Sequence, residues 1–398
     1  MGALFVARAS PPQVVFKIVN SGVVSVSQFG VTMVRAAVLY KANERMPVKE
    51  LEQSGPNAGE VKIKMGAAGV CASDHHVMLG QTAFPMPIVL GHEGAGTVAE
   101  VGANVTAVKP GDRCILSFVP SCGVCHSCRT GMGQLCDTNR LTGTRQYDGT
   151  FRLKDETDAD VHQFAKLGVF ADEIVVPQQA CYVIPDDVPI EVAALVGCSV
   201  TTGVGGVINQ PGIRAGMTVA VFGVGGVGLN AIQGARLLNA TRIIAVDVHD
   251  HKLEFAYKFG ATDVINSRSQ DPAKAILEMT GGGVDFGFDT FGGAITTEQM
   301  MASIRKGGTG VLVGLAPEGV TAGINMIDMV RNQKTFVGSY YGSTSPHETF
   351  GKLLDFWRKG ALEIESLVTR THELAEINEA YDALARGDDG RGILVFSG

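Results

Sequence analysis

The residues best suited to chemistry lie in one stretch, from Cys71 to Gly96. It contains the thiol of Cys71 and the imidazole of His92 in an otherwise apolar context. Two carboxylates, Asp74 and Glu93, lie close to them in sequence. Thiolate and imidazole are ligands that zinc prefers, and a catalytic zinc takes three protein ligands and keeps a fourth position open. A single Cys or His is more often a core or surface residue than a ligand. Since a catalytic zinc takes three protein ligands, this stretch would need a third donor from elsewhere.

The third donor is expected at Cys198, which ends an apolar helical stretch. At this point the chain enters its second predicted domain. Cys114 and Cys181 fall within strand patterns, and we interpret them as small buried hydrophobic residues. The sequence therefore predicts a zinc site built from distant segments.

A second metal site is indicated by four cysteines spaced C-x2-C-x2-C-x7-C, at Cys122, Cys125, Cys128 and Cys136. Four thiolates in a small loop suit a closed, structural zinc. Disulfides are the first alternative, and the absence of a clear signal peptide disfavours them. An iron–sulfur cluster is the second, but the bacterial ferredoxin run has a shorter last gap followed by Pro, whereas Asp137 follows here. His126 within the loop is expected to face solvent.

Composition limits the classes of function. A chain of 398 residues predicts about two domains. Apolar content of 45% and charge of 18% are ordinary for a globular protein, and the net charge of −7 argues against a nucleic-acid partner. The chain is expected to have no apolar run of about 20 residues and therefore no membrane span. A cytoplasmic location is predicted.

Residues 1–32 are expected to lie outside the fold as an N-terminal extension, because they lack Asp and Glu and precede a natural first strand. A mitochondrial targeting segment and an upstream start codon both remain open for them.

Short strand-like runs alternate with Gly and Pro turns from residue 33 to about 119, which predicts a β-rich, barrel-like domain. Residues 140–160 are polar and contain glycine, so a surface loop is expected there.

The second domain begins with a buried strand at 218–222 that runs into a glycine-rich turn and a helix. Gly223 permits the tight turn, Gly225 lets backbone approach a pyrophosphate, and Gly228 allows close packing of helix and strand. The pyrophosphate would lie at the helix N-terminus, where free N–H groups favour an anion. Asp247 ends the next strand, where it can accept hydrogen bonds from ribose hydroxyls and repel a 2′-phosphate. The pattern therefore favours NAD over NADP.

Four further strands are predicted, at 263–266, 284–288, 310–314 and 335–338, which makes six in a doubly wound parallel sheet. The predicted fold class is α/β. The nucleotide-binding domain covers 201–340, and the catalytic domain covers 33–200 and 341–398, with the cysteine lobe at 117–140.

In combination and order, these motifs resemble the zinc-dependent medium-chain alcohol dehydrogenases. The run Gly91–Gly96, the cysteine lobe and the nucleotide fold ending at Asp247 carry the resemblance. It implies a GroES-like catalytic domain beside a Rossmann domain. The segments 141–152 and 195–198 also look like the nicotinoprotein branch, which keeps NAD tightly bound and uses an external electron acceptor.

The resemblance implies roles around the catalytic zinc, whose ligands match Cys71, His92 and Cys198; the lobe cysteines match the structural zinc ligands. Glu93 matches the carboxylate behind the zinc, and Asp74 matches the partner of the zinc-bound imidazole. Ser73 matches the hydroxyl that takes the alcohol proton. His76 matches the outer end of the proton relay, because an imidazole titrates near neutral pH. His75 has no assigned role.

The resemblance also implies the cofactor-binding set, in which Lys252 lies near the adenosine ribose and Arg391 contacts the pyrophosphate. The other members are Gly223, Gly225, Gly226, Val227, Gly228, Asp247 and Gly314.

The implied function is reversible oxidation of primary aliphatic or aromatic alcohols to aldehydes, with two Zn²⁺ per subunit and hydride transfer to NAD. Phe118 is expected to line the substrate channel. A thiol-adduct formaldehyde dehydrogenase is an alternative, but that branch has acidic residues where 80–84 reads GQTAF and a Tyr at the position of His76. A nucleotide-sensing protein without activity is the alternative from another class. The expected partners are a small alcohol or aldehyde and further copies of the chain, as a homodimer or homotetramer.

Overall fold

Three β-sheets organise the computed structural model, which describes residues 31–210, 212–388 and 390–396. The strands are β1 (Val31–Leu39), β2 (Val48–Ser54), β3 (Glu60–Gly69), β4 (Ile88–Val89), β5 (Gly94–Val101), β6 (Arg113–Leu116), β7 (Leu153–Lys154), β8 (Asp160–Gln163), β9 (Glu173–Pro177), β10 (Cys181–Ile184), β11 (Thr218–Phe222), β12 (Arg242–Asp247), β13 (Asp263–Asn266), β14 (Val284–Asp289), β15 (Ile304–Leu312), β16 (Thr335–Gly338), β17 (Val368–His372) and β18 (Arg391–Val395). The α-helices are α1 (Ala72–Met78), α2 (His126–Arg129), α3 (Asp137–Thr142), α4 (Ile190–Leu195), α5 (Thr201–Ile208), α6 (Gly226–Leu237), α7 (Asp250–Phe259), α8 (Pro272–Thr280), α9 (Ala294–Ser303), α10 (Met326–Arg331), α11 (Pro346–Arg358) and α12 (Ile377–Arg386).

The predicted N-terminal extension lies outside the described residues except for Val31 and Thr32, which begin β1. The first strand therefore begins two residues earlier than expected from Met33.

The predicted barrel is present, because β1, β2, β7, β8 and β4 close into one. A second sheet follows the order β10-β6-β5-β3-β18-β17, with β9 paired to β3. In β18, Ile393 pairs with Gly69, so the last described segment returns to the sheet that precedes the predicted metal ligand Cys71. This pairing places the last described strand beside the segment that leads into Cys71.

The prediction of a surface loop at 140–160 was wrong in part, because β7 lies in that segment and closes the barrel against β2. Leu153 is buried, and so is the guanidinium of Arg152, which lies 2.7 Å from a carboxylate oxygen of Glu60. A buried charge needs such a partner. The polar local sequence hid the strand because its partner lies about 100 residues away.

The six-stranded parallel sheet has the order β13-β12-β11-β14-β15-β16, with helices between the strands. The predicted six strands and α/β class are therefore confirmed among the described residues. The bounds of two strands differ: β14 ends at Asp289 rather than at 288, and β15 covers Ile304–Leu312 rather than 310–314. Its pairing with β14 shifts register between Val284 and Phe286, so the strand begins earlier than its apolar run.

The expectation that the chain has no apolar run of about 20 residues was wrong, because the helical run Ile190–Ile208 is long and apolar enough by composition to cross a membrane. Some 83% of its most apolar window is buried inside the protein. The run consists of α4, a π-helical turn at Val196–Val200 and α5, which packs on α6 of the nucleotide-binding sheet. It is a core helix that joins the two sheets.

Candidate metal and nucleotide site

The three predicted ligands of the first metal site come together. The donor atoms of Cys71, His92 and Cys198 all lie within 4.8 Å of one another, and all three residues are buried. The His92 Nε2–Cys198 Sγ distance is 3.2 Å. Tetrahedral zinc with bonds of about 2.0–2.3 Å brings neighbouring donors to about 3.3–3.8 Å. The donor set and its spacing therefore fit a zinc ion.

Each ligand is placed by a different element. Cys71 is the N-cap of α1, and His92 lies between β4 and β5. Cys198 is the central residue of the π-helical turn. Such turns interrupt α-helices, often at functional sites. Gly197 beside it is buried, and a Cβ there would lie 3.0 Å from the carbonyl oxygen of Leu116.

Asp74 holds His92 in place from the first turn of α1. Its Oδ1 accepts a hydrogen bond from the Gly91 N–H at 2.8 Å and lies 3.2 Å from His92 Nδ1. Gly91 has φ +88°, and a Cβ there would lie 2.7 Å from Val169 Cγ2, so only glycine fits. This arrangement leaves His92 Nε2 to face the two thiols.

The three donor groups of the pocket are electrostatically coupled. A hydrogen bond from the Cys198 thiol lowers the pKa of Cys71 well below its ordinary value, against the effect of burial. The same hydrogen bond raises the pKa of Cys198 well above its ordinary value. Burial lowers the pKa of His92, but Asp74 and Cys71 outweigh it and raise that pKa well above its ordinary value. Because zinc binds thiolates and a neutral imidazole, a zinc ion would displace the protons of Cys198 and His92.

Glu93 lies behind this pocket with both oxygens engaged. Its Oε1 accepts a hydrogen bond from the Ser199 hydroxyl at 2.7 Å, and its Oε2 is paired with Arg391. Burial raises the pKa of Glu93, and Arg391 opposes that effect. Sequence reasoning missed Ser199, because nothing in a Ser next to a Cys indicates a carboxylate 106 residues away.

The relay candidates lie on α1. Ser73 is partly buried, and its Oγ lies 3.9 Å from Cys71 Sγ. His76, one turn further along the same helix, is also partly exposed, and its Nδ1 lies 2.5 Å from Gln81 Oε1. His75 points elsewhere, with its ring stacked on Tyr381 at 5.8 Å.

Aromatic rings surround the imidazole of His92. Phe118, the predicted channel residue, packs edge-on against it with centroids 5.1 Å apart, and Phe164 does the same at 5.5 Å. Phe84 extends this wall from Phe164 at 4.9 Å, and Tyr341 packs on Phe118 at 3.8 Å. Only Phe118 was predicted, since aromatic residues in three separate loops carry no sequence signal of a shared wall.

The four lobe cysteines also come together, with all four sulfur atoms within 4.8 Å of one another. The Cys122 sulfur accepts hydrogen bonds from the Cys125 N–H at 3.4 Å and from the Thr138 hydroxyl at 3.3 Å. Burial opposes ionisation of Cys122, but these donors outweigh it and lower its pKa to about 6. The lobe fits a closed tetrathiolate zinc site. As expected, His126 is exposed and Cys114 and Cys181 are buried.

The nucleotide turn has the predicted geometry. Gly223 has φ +89°, Gly225 is the N-cap of α6, and a Cβ on Gly228 would lie 1.9 Å from the carbonyl oxygen of Gly223. A Cβ on Gly225 would meet no atom within 4 Å. The turn therefore leaves an open cradle at the N-terminus of α6, which fits a pyrophosphate.

Asp247 lies at the end of β12 and is tied to this turn. Its Oδ2 accepts a hydrogen bond from the Val224 N–H at 2.8 Å, and its Oδ1 accepts one from the Val248 N–H at 2.7 Å. His249 Nδ1 lies 3.1 Å from the same Oδ1. The carboxylate is thus oriented by backbone N–H groups beside the cradle.

The remaining predicted cofactor residues lie around the cradle to different degrees. Arg391 is closest, since a Cβ on Gly226 would meet its Nη1, and Val227 follows on α6. Lys252 lies on α7, next to the turn at Gly387. Gly314 packs against the backbone of Phe291 and Gly292, after β15. Arg391 links the two halves of the site, because the same side chain pairs with Glu93 behind the metal pocket.

Comparison with known proteins agrees with these features. Residues 57–186 match the alcohol dehydrogenase GroES-like domain, and residues 226–359 match the zinc-binding dehydrogenase domain. The chain is 39% identical over 366 residues to putative alcohol dehydrogenase D of Mycobacterium tuberculosis, covering 90% of this chain and 99% of that protein. It is 39% identical over 370 residues to the NDMA-dependent alcohol dehydrogenase of Amycolatopsis methanolica, covering 91% and 99%.

Solved structures agree as well. A zinc-binding domain alcohol dehydrogenase from Burkholderia ambifaria superposes with a TM-score of 0.88 at 32% identity, covering 92% of this chain and all of that one. Benzyl alcohol dehydrogenase from Acinetobacter calcoaceticus superposes with a TM-score of 0.85 at 31% identity, with the same coverage. The chain therefore belongs to the zinc-dependent medium-chain alcohol dehydrogenase family and is a zinc-containing, nicotinamide-dependent oxidoreductase that acts on small-molecule alcohols.

Proposed function

We propose that this enzyme reversibly oxidises primary alcohols with apolar aliphatic or aromatic groups to aldehydes, with NAD as hydride acceptor. The observation that carries the proposal is the shared position of Arg391, between Glu93 behind the metal pocket and Gly226 at the nucleotide cradle. The metal pocket and the cofactor cradle are therefore neighbours, as hydride transfer between a metal-held alcohol and a nicotinamide requires.

Two zinc ions per subunit are proposed. Cys71, His92 and Cys198 would hold the catalytic ion, and the four lobe cysteines would hold the structural ion. When bound, the catalytic zinc supplies Lewis acidity that lowers the pKa of an alcohol hydroxyl, and the nicotinamide accepts hydride. Asp74 orients His92, and Glu93 places a negative charge behind the pocket that Arg391 balances.

Proton removal is assigned to Ser73 and His76. The Ser73 hydroxyl lies beside the Cys71 thiol, so it is placed to accept the proton of an alcohol in the pocket. His76 lies one helical turn away on α1, is partly exposed, and donates a hydrogen bond from Nδ1–H to Gln81 Oε1. It is suited to pass a proton between the pocket and water.

NAD is preferred to NADP in this proposal, because the carboxylate of Asp247 would repel a 2′-phosphate. The cofactor pyrophosphate would occupy the cradle at Gly225, next to the positive charge of Arg391. The relative affinities of NADH and NADPH for cofactor-free protein test this assignment. Equal affinities would contradict it.

The substrate class follows from the aromatic wall around His92. Phe118, Phe164 and Phe84 offer apolar surface and ring edges to the alcohol side chain. The similarity to benzyl alcohol dehydrogenase supports aromatic primary alcohols among the substrates. In a panel of alcohols, kcat/KM should be higher for benzyl and hexyl alcohols than for ethyl alcohol, because their larger apolar groups contact more of this wall.

A second candidate is a nicotinoprotein that retains NAD(H) through turnover and passes electrons to an external acceptor. Similarity to the NDMA-dependent alcohol dehydrogenase supports it. Protein purified without added cofactor should then absorb as NADH after alcohol is added and release NAD(H) on denaturation. Cofactor-free protein that turns over only with added NAD would contradict this candidate.

Metal analysis combined with alcohol-dependent NADH formation tests the main proposal. Two zinc ions per subunit and an NADH signal on adding alcohol are expected. One zinc with no turnover of any alcohol or aldehyde would overturn the enzyme assignment and favour a nucleotide-sensing protein.

A homodimer or homotetramer is proposed from the edge of the nucleotide-binding sheet. β16 is an edge strand, and Met326, Ile327 and Val330 on the adjacent α10 are exposed. Apolar side chains beside the open edge of a sheet favour pairing with a second copy. Light scattering should give a multiple of the 41.8 kDa chain mass; a monomer would contradict the proposal.

The catalytic domain is proposed to cover 33–200 and 341–398 and the nucleotide-binding domain 201–340. A cytoplasmic location is proposed because none of the eight cysteines forms a disulfide, which suits a reducing compartment.

A further inference from the structure

Two polar atoms at the base of the metal pocket are buried without a well-formed hydrogen bond in the described part of the chain. One is Asp74 Oδ2, and the other is the hydroxyl oxygen of Tyr381. Asp74 is fully buried and Tyr381 is 2% exposed. A buried polar group without a partner costs about 1–3 kcal/mol, so these two atoms need an explanation.

Tyr381 reaches this position from α12, in the segment that follows the nucleotide-binding sheet. Its ring stacks on His75 with centroids 5.8 Å apart and packs edge-on against Phe170 at 6.1 Å. His75 follows Asp74 directly in α1, and the Tyr381 phenol lies within hydrogen-bonding reach of the Asp74 carboxylate. The packing on two rings leaves the phenol little freedom to turn elsewhere.

The two atoms are chemically complementary. A tyrosine phenol, with an ordinary pKa of about 10, carries an O–H that can donate near neutral pH, whereas an ionised carboxylate can only accept. The Asp74 Oδ1 already accepts the Gly91 N–H. Asp74 Oδ2 lies 3.1 Å from His92 Nδ1 but has no well-formed hydrogen bond, so it can accept from a second donor.

We propose that Tyr381 is a positioning residue for the metal pocket: its hydroxyl donates to Asp74 Oδ2 and so fixes the carboxylate that orients His92. This inference rests on the proposed zinc site. With Gly91 on one oxygen and Tyr381 on the other, the carboxylate cannot rotate away from His92 Nδ1. Tyr381, Asp74 and His92 then form one hydrogen-bonded chain that runs from α12 to a ligand of the metal.

The test is Tyr381→Phe in the zinc-loaded protein. The substitution keeps the ring on His75 and removes only the hydroxyl. Partners of this kind, behind the ligands themselves, typically change metal affinity by about 10–100-fold. We expect one of the two zinc ions to pass to a chelator about tenfold faster than in wild type, while the lobe zinc leaves at the wild-type rate. Cobalt substituted into the pocket should show a changed absorption spectrum.

Tyr182→Phe is the matched control, because this tyrosine packs on His347 and Phe350, away from Asp74. It should release both zinc ions at wild-type rates. A second comparison uses Asp74→Asn, alone and combined with Tyr381→Phe. If Tyr381 acts through Asp74, the double variant should release zinc no faster than Asp74→Asn.

Two results would overturn the role of Tyr381 alone: equal zinc release from Tyr381→Phe and wild type, or an undiminished effect of Tyr381→Phe in the Asp74→Asn background. A wild-type protein that holds only the lobe zinc would instead overturn the proposed function together with this inference.

Discussion

The glycine-rich turn offers a sharp test, because two of its glycines have opposite surroundings. A Cβ on Gly225 would meet no atom within 4 Å, and its φ of −85° suits any residue. The structure therefore tolerates Gly225→Ala, and the free energy of unfolding should fall by only about 1 kcal/mol, the usual effect of Ala at an N-cap. The added methyl group would, however, occupy the space reserved for the pyrophosphate.

The expected loss concerns cofactor binding. One hydrogen bond from a backbone N–H to a charged phosphate oxygen contributes about 1.5–3 kcal/mol. Displacing the phosphate by the new methyl group should therefore raise the Kd for NADH about 10- to 150-fold. Fluorescence titration of cofactor-free protein measures the Kd, and urea unfolding of the same sample measures stability.

Gly228→Ala is the contrasting variant. Its Cβ would lie 1.9 Å from the Gly223 carbonyl oxygen, so α6 and the turn must separate by about 1.5 Å to restore ordinary contact. We expect stability to fall by about 1–3 kcal/mol along with NADH affinity. If Gly225→Ala binds NADH as wild type does, the cradle is not the pyrophosphate site. If Gly225→Ala lowers the free energy of unfolding as much as Gly228→Ala does, the claim that a Cβ at Gly225 meets open space is contradicted.

Four further predictions concern the lobe, the relay, the barrel and stability in acid. Cys122→Ser should lower zinc content from two to one per subunit and lower the melting temperature, as read by metal analysis and calorimetry; an unchanged zinc count would remove it from the ligand set. His76→Gln should slow alcohol oxidation mainly at low pH, and an unaltered pH–rate profile would exclude His76 from proton transfer. Arg152→Met should cost about 3–5 kcal/mol in urea unfolding, because it leaves the buried carboxylate of Glu60 unpaired; a loss below about 1 kcal/mol would contradict this. Burial raises the pKa of Asp148, but hydrogen bonds from Thr150, Asn57 and Arg152 outweigh it and lower that pKa. The stabilising contribution of the carboxylate should therefore be present above about pH 4 and be lost as the pH falls below that value. Asp148→Asn should weaken this acid dependence of the free energy of unfolding.

Much of the fold was accessible from local patterns. The turn from Gly223 to Gly228 was recognised because its glycines meet steric demands set within a few residues, as the φ of Gly223 and the contact of Gly228 with Gly223 now illustrate. The alternation of strand and helix likewise follows from side-chain periodicity along the chain. The four lobe cysteines were grouped for the same reason, since their spacing alone keeps four sulfur atoms within reach of one ion.

Other features could not be found locally. β7 was missed because its residues are polar and its stability comes from pairing with β2 and from the ion pair of Arg152 with Glu60. The composition of the apolar run Ile190–Ile208 would suit a membrane span as well as a core helix, and only its packing identifies it as a core helix. The bounds of β15 differ because its partner strand, rather than its own composition, determines where pairing begins.

The sequence by itself determined which side chains can bind zinc, which turn can cradle a pyrophosphate and in what order these parts occur. Only the tertiary structure decided that Cys198 meets His92 across 106 residues, that Ser199 and Arg391 hold Glu93, and that Tyr381 reaches the base of the pocket. The physical reason is the range of the interactions. Donor chemistry and turn geometry depend on neighbouring residues, whereas the direction in which a side chain points at a distant partner depends on how whole sheets and helices pack.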